Sequence, residues 1–273
     1  MGRFVALCSL IALLCCCSTI TEDRSKCPNW YVIDFSEVNS SIENLHLWFF
    51  DENGTLLFYD TLYPYEYENL YEMELKRGKV NLYVWGNLLA NTLLENIITS
   101  EASLIKIETA QADSLYRYYK TLDTDGESGL DTVIVRKEYT KLSVQMMGAE
   151  LLDVPIKMRL DCSTCGRYVN GDFIESQSSI YANPIEESGM YYSAFNLFRQ
   201  RVLQDLKLSV IKQDKVEKYL LREFPIGEIM VQQGYDMDAD NLKDITINID
   251  ISIGVISLVC EDWQVVVPVN IRL

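Results

Sequence analysis

Three adjacent cysteines, Cys15-Cys16-Cys17, carry the most specific chemistry in this 273-residue chain. They follow a charged Arg3 and an apolar run from Phe4 to Leu14, the order of a secretory signal peptide. That run falls well short of the roughly 20 apolar residues a membrane-spanning helix needs. A Leu, two small residues and a Cys at the end of such a run resemble a lipobox, where a cysteine thiol is acylated and the chain is cut just before it. Leu14-Cys15-Cys16-Cys17 fits best, which makes Cys17 the acylated residue and Cys16 the alternative. Several acyl chains on one cysteine hold a protein on a membrane stably, whereas a single chain holds it marginally.

Four further cysteines follow: Cys27, Cys162, Cys165 and Cys260. Outside the cytoplasm an even number allows disulfides, in three connectivities. Cys162 and Cys165 are a candidate disulfide, and their spacing also suits a zinc or redox pair. Zinc would need two more ligands, and His46 is the only histidine. No metal site is expected. Asp236, Asp238 and Asp240 alternate as in a calcium loop, but the positions that need Gly and a bidentate acid hold Asn241 and Ile247. They read as a solvated acidic loop. His46 reads as a residue on the wet face of a strand, which leaves nothing from which to build a nucleophilic triad. With no Gly-rich phosphate loop either, no catalytic residue and no cofactor is expected, and the chain reads as a non-enzyme. Tyr59, Tyr63, Tyr65, Tyr67 and Tyr71 crowd one segment, and Tyr116, Tyr118 and Tyr119 another. Rings on strands pack more often than they bind sugars. Asp-Thr/Ser-apolar tripeptides at Thr61, Ser114 and Thr132 are candidate O-glycosylation sites.

What positions these residues is mostly β-structure. Apolar and polar residues alternate at Leu45, Leu47 and Phe49, then again from Thr55 to Tyr59, across the turn Asp51-Glu52-Asn53-Gly54. Tyr71 to Leu75, Val80 to Val84, Thr132 to Met147, Val154 to Leu160, Met190 to Phe198, Leu206 to Val210, Val216 to Phe224, Ile245 to Ile253, Val255 to Cys260 and Val265 to Ile271 also read as strands. Helical patterns are short: Leu88 to Thr99, Ala112 to Tyr119 and Gly227 to Gln233. Regularly spaced strands with turns between them indicate β-sandwiches. The fold class is therefore all-β, with a signal peptide at 1–16, a tether at 17–27, and two sandwiches at 28–148 and 149–273. The formal charge of −16 excludes nucleic acid as a partner and repels anionic membrane surfaces. Attachment to a membrane then depends on the lipid.

In order and spacing, several segments resemble the fimbrial anchor lipoproteins of Bacteroidetes type V pili, the FimB-like group. Asp23-Arg24-Ser25-Lys26-Cys27-Pro28 is similar to that family's short acidic tether. Leu47 to Gly54 resembles its aromatic-Asp-x-x-Gly hairpin, and Leu75-Lys76-Arg77-Gly78-Lys79-Val80-Asn81-Leu82-Tyr83-Val84-Trp85-Gly86-Asn87 echoes its Gly-Lys then Trp-Gly-Asn strand. Val133 to Gly148 resembles the strand closing the first domain, and Asp244 to Ile253 with Trp263 the end of the second. The resemblance implies two tandem transthyretin-like, Greek-key sandwiches, lipid-anchored in the outer membrane at the cell surface or the base of a fimbrium. It also implies that the chain anchors the fibre, limits its growth, and binds fimbrial subunits by β-strand addition. Only about nine residues separate Cys17 from Cys27, so no removable strand is expected before the first domain, which suits a terminating subunit. The alternatives are a polymerising or tip subunit acting as an adhesin, and a surface glycan-binding lipoprotein. The lipid assignment is directly testable: radiolabelled palmitate is expected to enter the wild type and Cys16→Ala, and to be lost from Cys17→Ala.

Overall fold

The computed structural model describes residues 27–95, 99, 104–107, 111–148, 155–213, 218–261 and 263–268. In order the chain forms β1 (Asn29–Asp34), β2 (Leu45–Asp51), β3 (Leu56–Leu62), a one-turn helix α1 (Pro64–Tyr67), β4 (Tyr71–Leu75) and β5 (Lys79–Gly86). Then come β6 (Thr92–Glu95), β7 (Leu104–Ile107), β8 (Tyr116–Asp123), β9 (Ser128–Thr132) and β10 (Arg136–Lys137). The second half adds β11 (Tyr139–Met147), β12 (Ile156–Tyr168), β13 (Phe173–Ala182), β14 (Ile185–Glu187), β15 (Met190–Phe198), β16 (Lys207–Gln213) and β17 (Lys218–Phe224). Helix α2 (Ile226–Gln232) precedes β18 (Ile245–Asp250), β19 (Val255–Cys260) and β20 (Trp263–Pro268).

These strands make two sandwiches, as the all-β reading expects. In the first, a sheet ordered β4-β1-β9 faces one ordered β10-β8-β5-β2-β3. Ile33, Leu45, Leu47, Phe49, Leu82 and Val84 share a water-free core between the two. In the second, β14-β15-β11-β18-β19-β20 faces β17-β16-β12-β7-β6, with β13 also paired to β12. The cleanest alternation in the sequence does what period two requires: Ile245, Ile247 and Ile249 are buried while Thr246, Asn248 and Asp250 are only partly so. The Asp51–Gly54 turn closes the β2–β3 hairpin, with Gly54 at φ +76°.

Several expectations are corrected. The segments read as helices at Leu88 to Thr99 and Ala112 to Tyr119 contain β6 and β8 instead. β8 is paired on both sides, to β5 and β10, and such ladders override weak local preference. The region at Gly227 to Gln233 is helical, as expected. The boundary at 148 is also displaced. β11 pairs with β15 and β18, so Tyr139–Met147 belongs to the second sandwich and does not close the first. The exchange runs the other way as well: β6 and β7 come from the first half of the sequence, yet β7 pairs with the far end of β12 at Gly166–Tyr168.

This exchange covers a second face of the first sandwich. On β2 and β5 the residues opposite the core, Trp48, Phe50, Tyr83 and Trp85, are buried with Leu115, Val169 and Phe198 in a third apolar cluster shared by both halves. Trp85 donates its indole N–H to the Val169 carbonyl at 3.1 Å. The two residues after it are equally constrained. A Cβ on Gly86 would lie 2.9 Å from Ile42 Cγ2. Asn87 sits at φ +61°, where its Oδ1 accepts the Glu43 N–H at 2.7 Å and its Nδ2 donates to the Ser114 carbonyl at 2.9 Å.

The joint also holds charge. Glu138, between β10 and β11, is fully buried and accepts Arg136 Nε at 2.8 Å, with Arg167 Nη2 and Arg199 Nε both at 3.2 Å. Removing one partner of a buried ion pair leaves the rest uncompensated, which typically costs about 3–5 kcal/mol. Glu138→Ala is therefore expected to lose about 3 kcal/mol or more, read from the shift of the denaturation midpoint.

Candidate functional site

The residues singled out for chemistry do not converge. Cys16 and Cys17 lie outside the described residues. Cys162 and Cys165 are buried free thiols in β12; their sulfurs approach the carbonyls of Ser178 and Ile174 on β13 at 3.7 and 3.8 Å. Burial pushes the Cys162 thiol up to about 11, so it is no ready nucleophile. Cys27 is exposed and Cys260 is buried. Asp236, Asp238 and Asp240 are exposed in the loop before β18, and among the described residues no group of three His, Cys, Asp or Glu side chains could hold a metal. Of the tyrosines, Tyr67 is buried, while Tyr63 and Tyr65 are exposed and stacked at 6.3 Å with rings 5° apart.

His46 departs from expectation. It sits on the covered face of β2, stacked on Trp48 at 5.8 Å, with its Nδ1 2.6 Å from the Tyr59 hydroxyl and 3.2 Å from Thr61 Oγ1. Thr61, one of the candidate glycosylation sites, is thus engaged in this network. Burial lowers the imidazole to about 4.

The sheet edges are the places where backbone remains available. Every terminal strand leaves alternate N–H and C=O groups without a ladder partner, and these are the groups an added strand can bond. β3 ends one sheet of the first sandwich and β4 ends the other. The two edges flank a cleft of about 440 Å³ lined by Leu57, Phe58, Met73, Glu74, Leu75 and Lys76. Leu57 and Phe58 are each 41% exposed, so the cleft presents two adjacent large apolar side chains to water. One end of this side is latched: Tyr71 donates to Asp60 Oδ2 at 2.6 Å beside α1. Toward the other end, Arg77 bonds the Cys27 carbonyl at 3.0 Å and the Asp125 carbonyl at 2.5 Å, which brings the start of the described chain close to the cleft. In the second sandwich β20 is an edge strand paired to β19, with Val266 58% exposed and Pro268, which has no N–H to donate, at its end. The expected final strand is therefore present as far as Pro268, and the rest of the C-terminal segment lies outside the described residues.

The family model for fimbrillin-A associated anchor proteins Mfa1 and Mfa2 matches residues 25–267. The chain belongs to that family. Mfa2-family membership agrees with the fimbrial anchor resemblance read from the sequence, and it makes this a fimbria-associated protein. Solved structures share the fold at low identity. The fimbrial anchor protein Mfa2 of Porphyromonas gingivalis superposes with a TM-score of 0.64 at 12% identity, over 87% of this chain and 99% of that one. A proposed polysaccharide-binding protein of Bacteroides thetaiotaomicron gives 0.67 at 12% identity, over 89% and 100%. A proposed adhesin of the same species gives 0.62 at 14%, over 92% and 100%. No curated protein matches the chain.

Sequence reasoning missed the β3–β4 cleft and the arginines around Glu138. The first had a signal in the consecutive apolar residues Leu56-Leu57-Phe58, which break the alternation on β3. The arginines, at 117, 136, 167 and 199, are too far apart for any spacing rule, and only their apolar neighbours hint at burial.

The burial of His46 has a pH consequence. The unfolded imidazole titrates near pH 6.5, whereas the folded one stays neutral down to about pH 4, so the unfolded chain takes up the proton first as pH falls. This contribution to stability is complete above pH 6.5 and is lost between there and pH 4, amounting to roughly 2–4 kcal/mol. His46→Gln is expected to flatten that part of the stability–pH curve relative to the wild type, as measured by urea denaturation from pH 4 to 7.

Proposed function

We propose that this protein fixes a fimbria to the outer membrane, with a lipid on Cys17 holding the cell side and an open sheet edge holding the fibre side. The single observation that carries the reading is the apolar cleft between β3 and β4 in a member of the anchor family. Its lining leaves Leu57 and Phe58 half in water although they stand on strands beside unpaired backbone. An extended segment of a fimbrial subunit laid along β3 would bond that backbone and place every second side chain in the cleft. The Arg77 clip on Cys27 keeps the tether at the same end, and about ten residues from Cys17 to Cys27 reach no more than about 35 Å when extended. Fibre attachment and membrane attachment are then neighbours, as a terminal subunit requires. No catalytic step is proposed.

A second reading keeps the stacked, exposed Tyr63–Tyr65 pair as a sugar platform, in line with the proposed polysaccharide-binding relative. The two separate by experiment. Leu57→Asp puts a charge into the cleft at an exposed position. It is expected to leave the protein folded and at the cell surface while fibre attachment falls by about tenfold or more, counted as fimbriae shed into the medium and as immunogold at the fibre base. Undiminished attachment, or strong retention of a surface polysaccharide on a glycan array, counts against strand capture.

A further inference from the structure

Four guanidinium groups meet where the sandwiches join, and a single buried carboxylate stands among them. Two of the four are absent from the lining of the adjoining cleft. Arg199 bonds Glu138 and the carbonyls of Lys137, Met237 and Ala239. Arg167 bonds Glu138 and the Gly171 carbonyl, with its Nε unpartnered and its guanidinium 3.8 Å from the Phe173 ring centroid. The other two reach it. Arg136 gives Nε to Glu138, yet its side chain is 35% exposed. Arg117 is 92% buried: it bonds the Asn170 carbonyl at 2.6 Å and lies over Trp85, and its Nε has no hydrogen-bond partner. Both line an open cleft of about 430 Å³ with Tyr118, Ile134, Val135 and Asp240.

Counting Glu138 against the four arginines leaves three positive charges over, in a chain whose formal charge is −16. Asp238, which acts on Arg199, and Asp240, which lines the cleft, are exposed and so compensate the surplus through water. The arginines repel one another, and Arg167 is lowered to about 10, chiefly by burial. The backbone beside them is also unfinished. β10 pairs with β8 only at Tyr116 and Arg117, so from Tyr118 to Asp123 the ladder gives β8 no neighbour on that side.

We infer that this cleft receives an acidic residue of an extended partner polypeptide, its carboxylate meeting Arg136 and Arg117 while its backbone runs along β8 from Tyr118. Guanidinium and carboxylate match in plane and charge, and the match is strongest where water is thin. A polypeptide fits better than an acidic sugar because the cleft continues into unpaired main chain and is flanked by Ile134, 67% exposed. The inference rests on the reading that this protein docks polypeptides, but it uses a different edge from the β3–β4 cleft.

The probe is a blocked heptapeptide of alternating valines with a central Glu, and its Gln counterpart, titrated calorimetrically into the purified full-length protein in detergent. The Glu peptide is expected to bind roughly tenfold tighter than the Gln peptide, with a preference that shrinks at high salt. Arg136→Lys keeps the charge but not the fork and is expected to erase most of that preference. Asp240→Asn, at an exposed position, is expected to increase it. Equal affinity for the two peptides, no binding of either, a preference untouched by Arg136→Lys, or tighter binding of a uronate oligosaccharide would each overturn the inference. Running the same titration on Leu57→Asp separates the two edges: an intact Glu preference there alongside lost fibre attachment supports both readings, whereas loss of that preference places the acidic residue in the other cleft and overturns this one.

Discussion

Glu138 carries its charge where no water reaches it, and it can do so only because arginines from both sandwiches arrive together. Arg136 comes from the edge of the first sandwich, while Arg167 and Arg199 come from β12 and the end of β15 in the second. Desolvating a carboxylate is expensive unless its partners are in place. The ion cluster therefore does not tolerate a loose joint. Around it the Trp48–Trp85–Phe198 cluster and the β6–β7 ribbon lock the same surface with apolar contact and backbone hydrogen bonds. Two modules that look tandem in sequence are in this way joined into one body.

That joint determines which surfaces of the first sandwich stay open. The outer face of β2 and β5, which an isolated sandwich would leave to solvent, is taken up internally. What the first sandwich still offers is its rims: β3 and β4 on one side, and the stretch of β8 past Arg117 on the other. Rims suit extended polypeptides because their affinity comes from main-chain groups that any sequence carries, while side chains in the adjoining clefts choose among sequences.

Local signals carried the sequence reading far. The Asp51–Gly54 hairpin, the isoleucine alternation of β18 and helix α2 were all legible, because each depends on residues a few positions apart. The Trp85-Gly86-Asn87 motif was legible as a family mark, but its reason was not: the Val169 carbonyl and the Ser114 carbonyl that it binds are 84 and 27 residues away. β6 and β8 were mistaken for helices because Leu, Ala and Tyr at mixed spacing satisfy either period, and the partner strands decided the matter. β11 was placed in the wrong sandwich for a related reason. A strand's pattern tells which face is buried, never which sheet it joins. The charge cluster drew on four arginines spread over 83 positions, a separation at which spacing carries no information.

The placement of β1 bears on how such a molecule withstands pulling. β1 is the first strand after Cys27, and it lies in the middle of its sheet, antiparallel to β4 and parallel to β9. A pull on the chain ahead of Asn29, resisted at the far end of the sheet, acts along β1, so its hydrogen bonds to both neighbours are strained sideways together and cannot peel one at a time. The Arg77 contacts with Cys27 and Asp125 would bear such a load first. A strand gripped on two sides and drawn lengthwise is the arrangement that yields last.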